Sequence, residues 1–218
     1  MSDKPSKDLR AAIIPVTPFE QNCTILWDET TMVGAVVDPG GDVDRIIDAI
    51  AEVGCRIEKI LLTHGHIDHA GGAADLKMRL GNVPIEGPHL ADKFLLDGLA
   101  AQGRQYGFDA KNAIPDRWLV DGDQVTVAGH TFDCLHCPGH SPGSIVMVNK
   151  AQKLAMMGDV LFKGSVGRTD FPYGNTDDLI NAIITKILPL GDDVTFICGH
   201  GPTSTIGAER ASNPYIQA

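Results

Sequence analysis

Three histidines and an aspartate fall within six residues in Thr63-His64-Gly65-His66-Ile67-Asp68-His69. Imidazole and carboxylate groups bind zinc and similar divalent ions at about 2.0–2.2 Å. Side chains alternate in an extended loop, so His64, His66 and Asp68 are expected on one side. His69 follows at a helix entry marked by Gly71-Gly72 and turns toward a neighbouring point. Gly65 is expected to leave room for the ligands to converge. A polar loop on a helix N-terminus accounts poorly for four ligand-type side chains in so short a run.

Three further candidates each follow a single strand: His140 in Cys137-Pro138-Gly139-His140-Ser141-Pro142-Gly143, Asp159 in Met157-Gly158-Asp159, and His200 in Cys198-Gly199-His200-Gly201-Pro202. A glycine precedes each one, so the backbone can bend sharply at the strand end. Singly, each reads as a turn residue. With the dense cluster they can complete a two-metal site, with Asp159 as the bridge.

Other patterns carry less. Gly139-His140-Ser141-Pro142-Gly143 matches the nucleophile elbow of serine hydrolases. Pro142, however, has no N–H to offer an oxyanion hole, and a strand follows where the elbow needs a helix. Ser141 is therefore expected to be a turn residue. Cys134 and Cys137 form a lone Cys-x-x-Cys without the second pair of a zinc ribbon, and strand alternation puts them on opposite faces. His89 and His130 read as surface or capping residues, and His136 as a core histidine. Asp38, entering an Asp-Pro-Gly turn, is either a turn residue or a carboxylate that orients a ligand imidazole.

Short Ile- and Val-rich runs at 11–16, 23–27 and 32–38 read as strands. Asp42 is expected to cap a helix whose apolar positions Val43, Ile46, Ile47 and Ile50 follow helical spacing, with Gly54 closing it. A strand at 56–63 leads into the cluster. A helical stretch near 89–105 follows, with Lys93 and Arg104 as candidate walls of a site. Strands are expected at 124–127, 131–136, 144–149, 153–157 and 194–198. Thr176 or Asp177 is expected to cap a helix running to Leu188. Two similar halves of mixed strands and helices suggest two sheets packed face to face with helices outside.

The 218 residues suit one domain at 10–218 behind a loose tail at 1–9. Acidic residues number 28 and basic ones 18, for a net charge of −10. That balance disfavours nucleic acid as a partner. No apolar run reaches the roughly 18 residues of a membrane span. The first ten residues have no apolar centre, so no secretory signal is expected. The five cysteines then read as reduced thiols in a cytoplasmic setting.

The series His64-x-His66-x-Asp68-His69, His140, Asp159 and His200 resembles the metallo-β-lactamase superfamily. The resemblance covers nearly the whole chain, from Asp38-Pro39-Gly40 to the stretch from Glu209 to Pro214. Pro138–Gly143, Gly158–Phe162 and Gly167-Arg168 are similar to the glyoxalase II branch, the hydroxyacylglutathione hydrolases. This resemblance implies a four-layer αββα sandwich with two metal ions at one rim. His64, His66 and His140 would hold the first ion, Asp68, His69 and His200 the second, and Asp159 would bridge. Zinc is the expected metal, and iron or manganese accept the same donors. The implied reaction is hydrolysis of S-D-lactoylglutathione or a related S-2-hydroxyacylglutathione, as in methylglyoxal detoxification. A hydroxide shared by the ions attacks the thioester, and Asp68 accepts a hydrogen bond from it. Arg168, Phe171 and Tyr173 lie in a loop that, by this resemblance, borders the metals and meets the thiol half of the substrate, with Arg168 placed to bind a glutathione carboxylate. Only 18 residues follow His200, so the helical C-terminal domain of two-domain glyoxalase II enzymes is not expected here, and the substrate contacts are expected from this domain's loops. Persulfide dioxygenases resemble the same family and share a Gly-Arg-Thr-Asp-Phe loop like 167–171. In that alternative a single iron would sit on His66 or His64, His140 and Asp159, acting on glutathione persulfide.

Overall fold

The computed structural model describes residues 9–107 and 109–217. Of the expected tail, 1–8 lie outside the described residues, and Leu9 is the first residue of β1. The first half runs β1 (Leu9–Val16), β2 (Gln21–Asp28), β3 (Val33–Val37), α1 (Val43–Val53), β4 (Arg56–Leu61), α2 (Ile67–Ala70), α3 (Ala73–Arg79), β5 (Ile85–Glu86), α4 (Lys93–Asp97) and α5 (Leu99–Tyr106). The second runs β6 (Gln124–Val127), β7 (His130–His136), β8 (Ile145–Asn149), β9 (Leu154–Gly158), β10 (Leu161–Phe162), β11 (Ser165–Val166), α6 (Thr176–Ala182), β12 (Thr195–Cys198), β13 (Ser204–Thr205) and α7 (Ile206–Ser212).

Strands β1 to β5 form one sheet in chain order, and the second sheet has the order β13-β12-β9-β8-β7-β6. Alternation along the strands sends side chains to both faces, which makes three cores. Val36 and Ile60 of the first sheet pack against Ile46 of α1, Leu76 of α3 and Leu99 of α5. Val146, Val148 and Met157 of the second pack against Leu179 of α6 and Ile206 of α7. Leu26, Val37 and Leu61 meet Phe132, Met147 and Ile197 between the sheets. Helix, sheet, sheet, helix is the expected αββα sandwich. No helix among the described residues is long and apolar enough to cross a membrane.

Local details depart from expectation. Asp42 makes no side-chain cap; its carboxylate accepts the Thr17 N–H at 2.7 Å instead. Asn175, not Thr176 or Asp177, caps α6 by accepting the Asp178 N–H. That helix ends at Ala182, and a wider-wound segment Ile183–Ile187 and a tight turn Leu188–Leu190 carry the chain on. The stretch 89–105 is a tight turn at Leu90–Asp92 followed by α4 and α5, with Gly98 between them.

Parallel pairing of β3 with β4, and of β9 with β12, brings Asp38, residues 63–69, Asp159 and His200 to one rim. Ligand sites in such sheets lie beyond the carboxyl ends of the strands. The two sheets are fastened to each other there. Ile145 N donates to Thr63 O at 2.8 Å and Asn22 N to Gly199 O at 2.7 Å. Phe132 is fully buried between the sheets. Phe132→Ala should therefore cost about 3–5 kcal/mol of unfolding free energy, read as a lowered urea midpoint.

Candidate metal centre

Thr63 turns the chain out of β4, and His66 is still extended when α2 begins at Ile67. The helical turn carries Asp68 away from His64 and His66, which corrects the expectation of one shared side. Two triads result instead. His64, His66 and His140 converge, as do Asp68, His69 and His200, with each triad's ligand-type atoms within 4.8 Å of one another. His66 Nδ1 lies 3.1 Å from His64 Nε2 and 2.9 Å from His140 Nε2. In the second triad, Asp68 Oδ2 lies 3.2 Å from His200 Nε2 and 3.8 Å from His69 Nε2. Asp159 stands between the triads. Its Oδ1 is 3.3 Å from His69 Nε2, and its Oδ2 is 3.4 Å from His140 Nε2 and 3.6 Å from His200 Nε2.

The other nitrogen of every ring is engaged outside this ring of side chains. His69 Nδ1 meets Asp38 Oδ2 at 2.9 Å, His140 Nδ1 meets Arg168 O at 2.8 Å, and His200 Nδ1 meets Phe19 O at 3.1 Å. Carboxylates and carbonyls only accept, so these nitrogens carry the protons and leave lone pairs on Nε2. His64 Nδ1 reaches Thr63 Oγ1 at 3.1 Å, while that hydroxyl donates to Asp38 Oδ2 at 2.6 Å. His66 is reversed: Nε2 meets the Tyr173 hydroxyl at 2.9 Å, and Nδ1 faces inward. Asp38 also accepts the Thr63 N–H at 2.8 Å, so it orients one imidazole directly and another through Thr63. A third close group, Asp38, His64 and His69, is thus spoken for by hydrogen bonds.

The donor set fits divalent cations. His69 Nε2 and Asp159 Oδ1 are buried with no hydrogen-bond partner, an expense that a cation seated between them removes. Burial, with the neighbouring imidazoles, pushes His64 well below its ordinary range. Burial and then His140 bring His66 down to about 3. Both rings are therefore neutral, as ligands must be. Burial alone would raise Asp159, but His69, His140 and His200 override it and keep the carboxylate ionised.

Two glycines act differently from expectation. A side chain at Gly65 would meet Leu95 Cβ at 2.9 Å and Asp92 Cβ at 3.1 Å, so its room serves the turn before α4 rather than the ligands. Gly199 is not bent into the left-handed region; a Cβ there would fall 2.0 Å from Asp159 Oδ1 and 2.5 Å from His69 Cε1.

Asp92 is a residue that sequence reasoning missed. It is fully buried and accepts Gly65 N at 2.8 Å, Gly143 N at 2.6 Å and Ser141 Oγ at 2.8 Å. One carboxylate thereby ties the His64–His66 loop to the His140 loop. Ser141 is no plain turn residue: it is buried in this network and also meets Ser144 Oγ at 2.8 Å. Asn22 plays a similar part for the His200 loop, donating to Cys198 O and Gly201 O. His130, expected at the surface, is buried against Asp28 at 3.0 Å. His89 caps its turn by accepting Ala91 N and stacks on His136, with centroids 4.2 Å apart. Cys134 and Cys137 are buried in different cores, and burial pushes both thiols up to about 12.

The triads form the floor of a cleft of about 750 Å³. Phe171 and Tyr173 line it with rings stacked 5.4 Å apart, and Phe171 sits 4.9 Å from His66. Arg168 also lines it, but its guanidinium is already paired with Asp170 through bonds of 2.6 and 2.8 Å and lies 4.5 Å over the Phe171 ring. Neither Lys93 nor Arg104 lines the cleft; Lys93 pairs with Asp97 one turn on.

With two such triads on an αββα frame, the chain belongs to the metallo-beta-lactamase superfamily, whose sequence pattern matches residues 16–200. It is 46% identical over 208 residues to hydroxyacylglutathione hydrolase GloC of Haemophilus influenzae, covering 94% of this chain and 97% of that protein. A probable metallo-hydrolase, YqgX of Bacillus subtilis, is 33% identical over 205 residues, 93% of this chain and 95% of its own length. Among solved structures, the BLEG-1 B3 metallo-beta-lactamase superposes with a TM-score of 0.87 at 32% identity, covering 96% of this chain and all (100%) of that one. TTHA1623 in a di-iron-bound form gives 0.84 at 29% identity, over 94% and 99% of the two chains.

Asp92→Ala would strand the Gly65 and Gly143 N–H groups and loosen the His64, His66, His140 triad. Metal affinity at that triad should fall about 10- to 100-fold, the range for lost outer-sphere support. Chelator competition would measure it, with circular dichroism confirming the fold.

Proposed function

We propose that this chain is a binuclear metal-dependent thioester hydrolase that cleaves S-D-lactoylglutathione or related S-2-hydroxyacylglutathiones to glutathione and a 2-hydroxy acid. The observation that carries this reading is the pair of triads meeting at Asp159 on the floor of the cleft. The 46% identity to a hydroxyacylglutathione hydrolase over almost the whole of both chains supports the substrate.

In this reading His64, His66 and His140 hold one ion, Asp68, His69 and His200 hold the other, and Asp159 bridges. Zinc is the proposed metal; iron and manganese suit the same donors. When bound, two divalent ions lower the pKa of a water toward about 7 and polarise the thioester carbonyl. Asp68 accepts a hydrogen bond from the attacking water as well as holding metal. Asp38 fixes the proton of His69 outward and, through Thr63, that of His64. The departing thiol has an ordinary pKa near 8.5, so it leaves as the anion and needs no strong general acid from the cleft. Phe171 and Tyr173 border the reacting atoms. Arg168, to reach a substrate carboxylate, must exchange its pairing with Asp170, and solvent screens such an exposed pair.

Fully loaded protein should contain two ions per chain by elemental analysis and hydrolyse S-D-lactoylglutathione. One iron per chain, with oxygen consumed on glutathione persulfide, would favour the dioxygenase instead. Asp159→Ala should deplete both ions together, whereas His200→Ala should chiefly deplete the second. An Asp159→Ala protein that kept both ions and its activity would refute the ligand assignment.

A further inference from the structure

The cleft that would seat the thioester is walled by aromatic rings. Over the first triad, Phe171 and Tyr173 stack with an interplanar angle of 9°, and Phe94 meets Tyr173 edge-on at 5.2 Å. On the opposite side, Phe162 lies 6.2 Å from His200, and Phe19 meets Tyr106 edge-on at 6.2 Å. Phe94, on α4, is 49% exposed, and Phe19 and Tyr106 are likewise exposed at the mouth. Large rings left in water at the entrance of a concave site mark a surface that apolar ligand atoms cover.

Charge tells the same story from the other side. Arg168 is the only lysine or arginine among the described residues lining this cleft, and its guanidinium must leave an exposed pair with Asp170 and the face of Phe171 before it can meet a ligand. A glutathionyl peptide brings two carboxylates, and the chain they approach has a net charge of −10. The peptide therefore finds little in the cleft that reads its charges. The rings, by contrast, offer a continuous apolar column from Phe171 through Tyr173 to Phe94, beginning beside His66.

We infer that this enzyme selects its thioesters by an apolar, preferably aromatic, acyl group held on the Phe171–Tyr173–Phe94 column, and tolerates the thiol half rather than recognising it. The inference rests on the thioester-hydrolase reading. The chemistry is unchanged: water adds its oxygen to the acyl carbon, the C–S bond breaks with its electron pair on sulfur, and the two protons go to the thiolate and to solvent. An aryl group adds several carbons of contact to the lactoyl methyl. One methylene in an apolar pocket is worth roughly 10- to 200-fold in selectivity.

The test uses zinc-loaded full-length protein and three substrates: S-D-lactoylglutathione, S-D-mandeloylglutathione, and the mandeloyl thioester of N-acetylcysteamine, which lacks both carboxylates. The mandeloyl compound should exceed the lactoyl in kcat/KM by at least about tenfold, mainly through KM. The N-acetylcysteamine thioester should lie within about threefold of mandeloylglutathione, a difference of less than one kcal/mol. Phe94→Ala should reduce the mandeloyl rate constant much more than the lactoyl one, and Phe94→Leu should restore part of the loss. Equal constants for lactoyl and mandeloyl glutathione would overturn the inference while leaving the hydrolase reading intact. So would a collapse on removing the peptide. Failure to hydrolyse any of the three would overturn the hydrolase reading itself.

Discussion

Five imidazoles face one another across a few ångströms, and each is held by a partner at its outer nitrogen. The partners are a buried carboxylate, two backbone carbonyls and the Thr63 hydroxyl, all of which accept, and the Tyr173 hydroxyl at His66. Pinning one nitrogen as the donor leaves the other as a lone pair aimed inward, so tautomer and ring orientation are fixed together. Asp38 is the hub of this arrangement because it serves a ring in each triad. Remove the outer bonds, and the inner nitrogens would be free to rotate or to protonate.

The fold supplies those acceptors by bringing strand ends from both sheets to one rim. Thr63 shows how closely the tasks are joined. Its N–H and hydroxyl go to Asp38, its carbonyl accepts Ile145 of the opposite sheet, and its side chain meets His64. Asp92 makes a second suture, buried between the two loops that bear the first triad. Burial lowers the pKa of His64 and His66, the carboxylates of Asp68 and Asp159 raise those of His69 and His200 against burial, and the facing imidazoles keep Asp159 ionised. Neutral imidazoles around anionic carboxylates are the protonation states that divalent ions require.

Much of this could be read from residue types and spacing. The alternating apolar runs gave two sheets and outer helices, and the dense histidine cluster pointed to metal before any fold was known. Geometry beyond nearest neighbours could not be read. Period-two alternation grouped Asp68 with His64 and His66 because nothing in the local pattern says that α2 starts at Ile67. Asp92 sits in an ordinary Leu-Ala-Asp turn, and its importance comes from backbone N–H groups 27 and 51 residues away. Asp42 and Asn175 show the same limit at helix ends, where tertiary partners decide which polar residue caps. Arg168 looked like a free cation, yet its neighbour two residues on had already paired with it.

The central claim is that two ions sit on the inward nitrogens while the outward ones stay protonated. Anomalous diffraction from crystals of zinc-loaded protein, collected on both sides of the zinc edge, addresses it directly. The account predicts two peaks. One should lie about 2.0–2.2 Å from His64 Nε2, His66 Nδ1 and His140 Nε2, and the other at similar distance from Asp68, His69 Nε2 and His200 Nε2, with Asp159 touching both. A single peak at full loading, or an ion bound by Asp38 and His69 Nδ1, would contradict it.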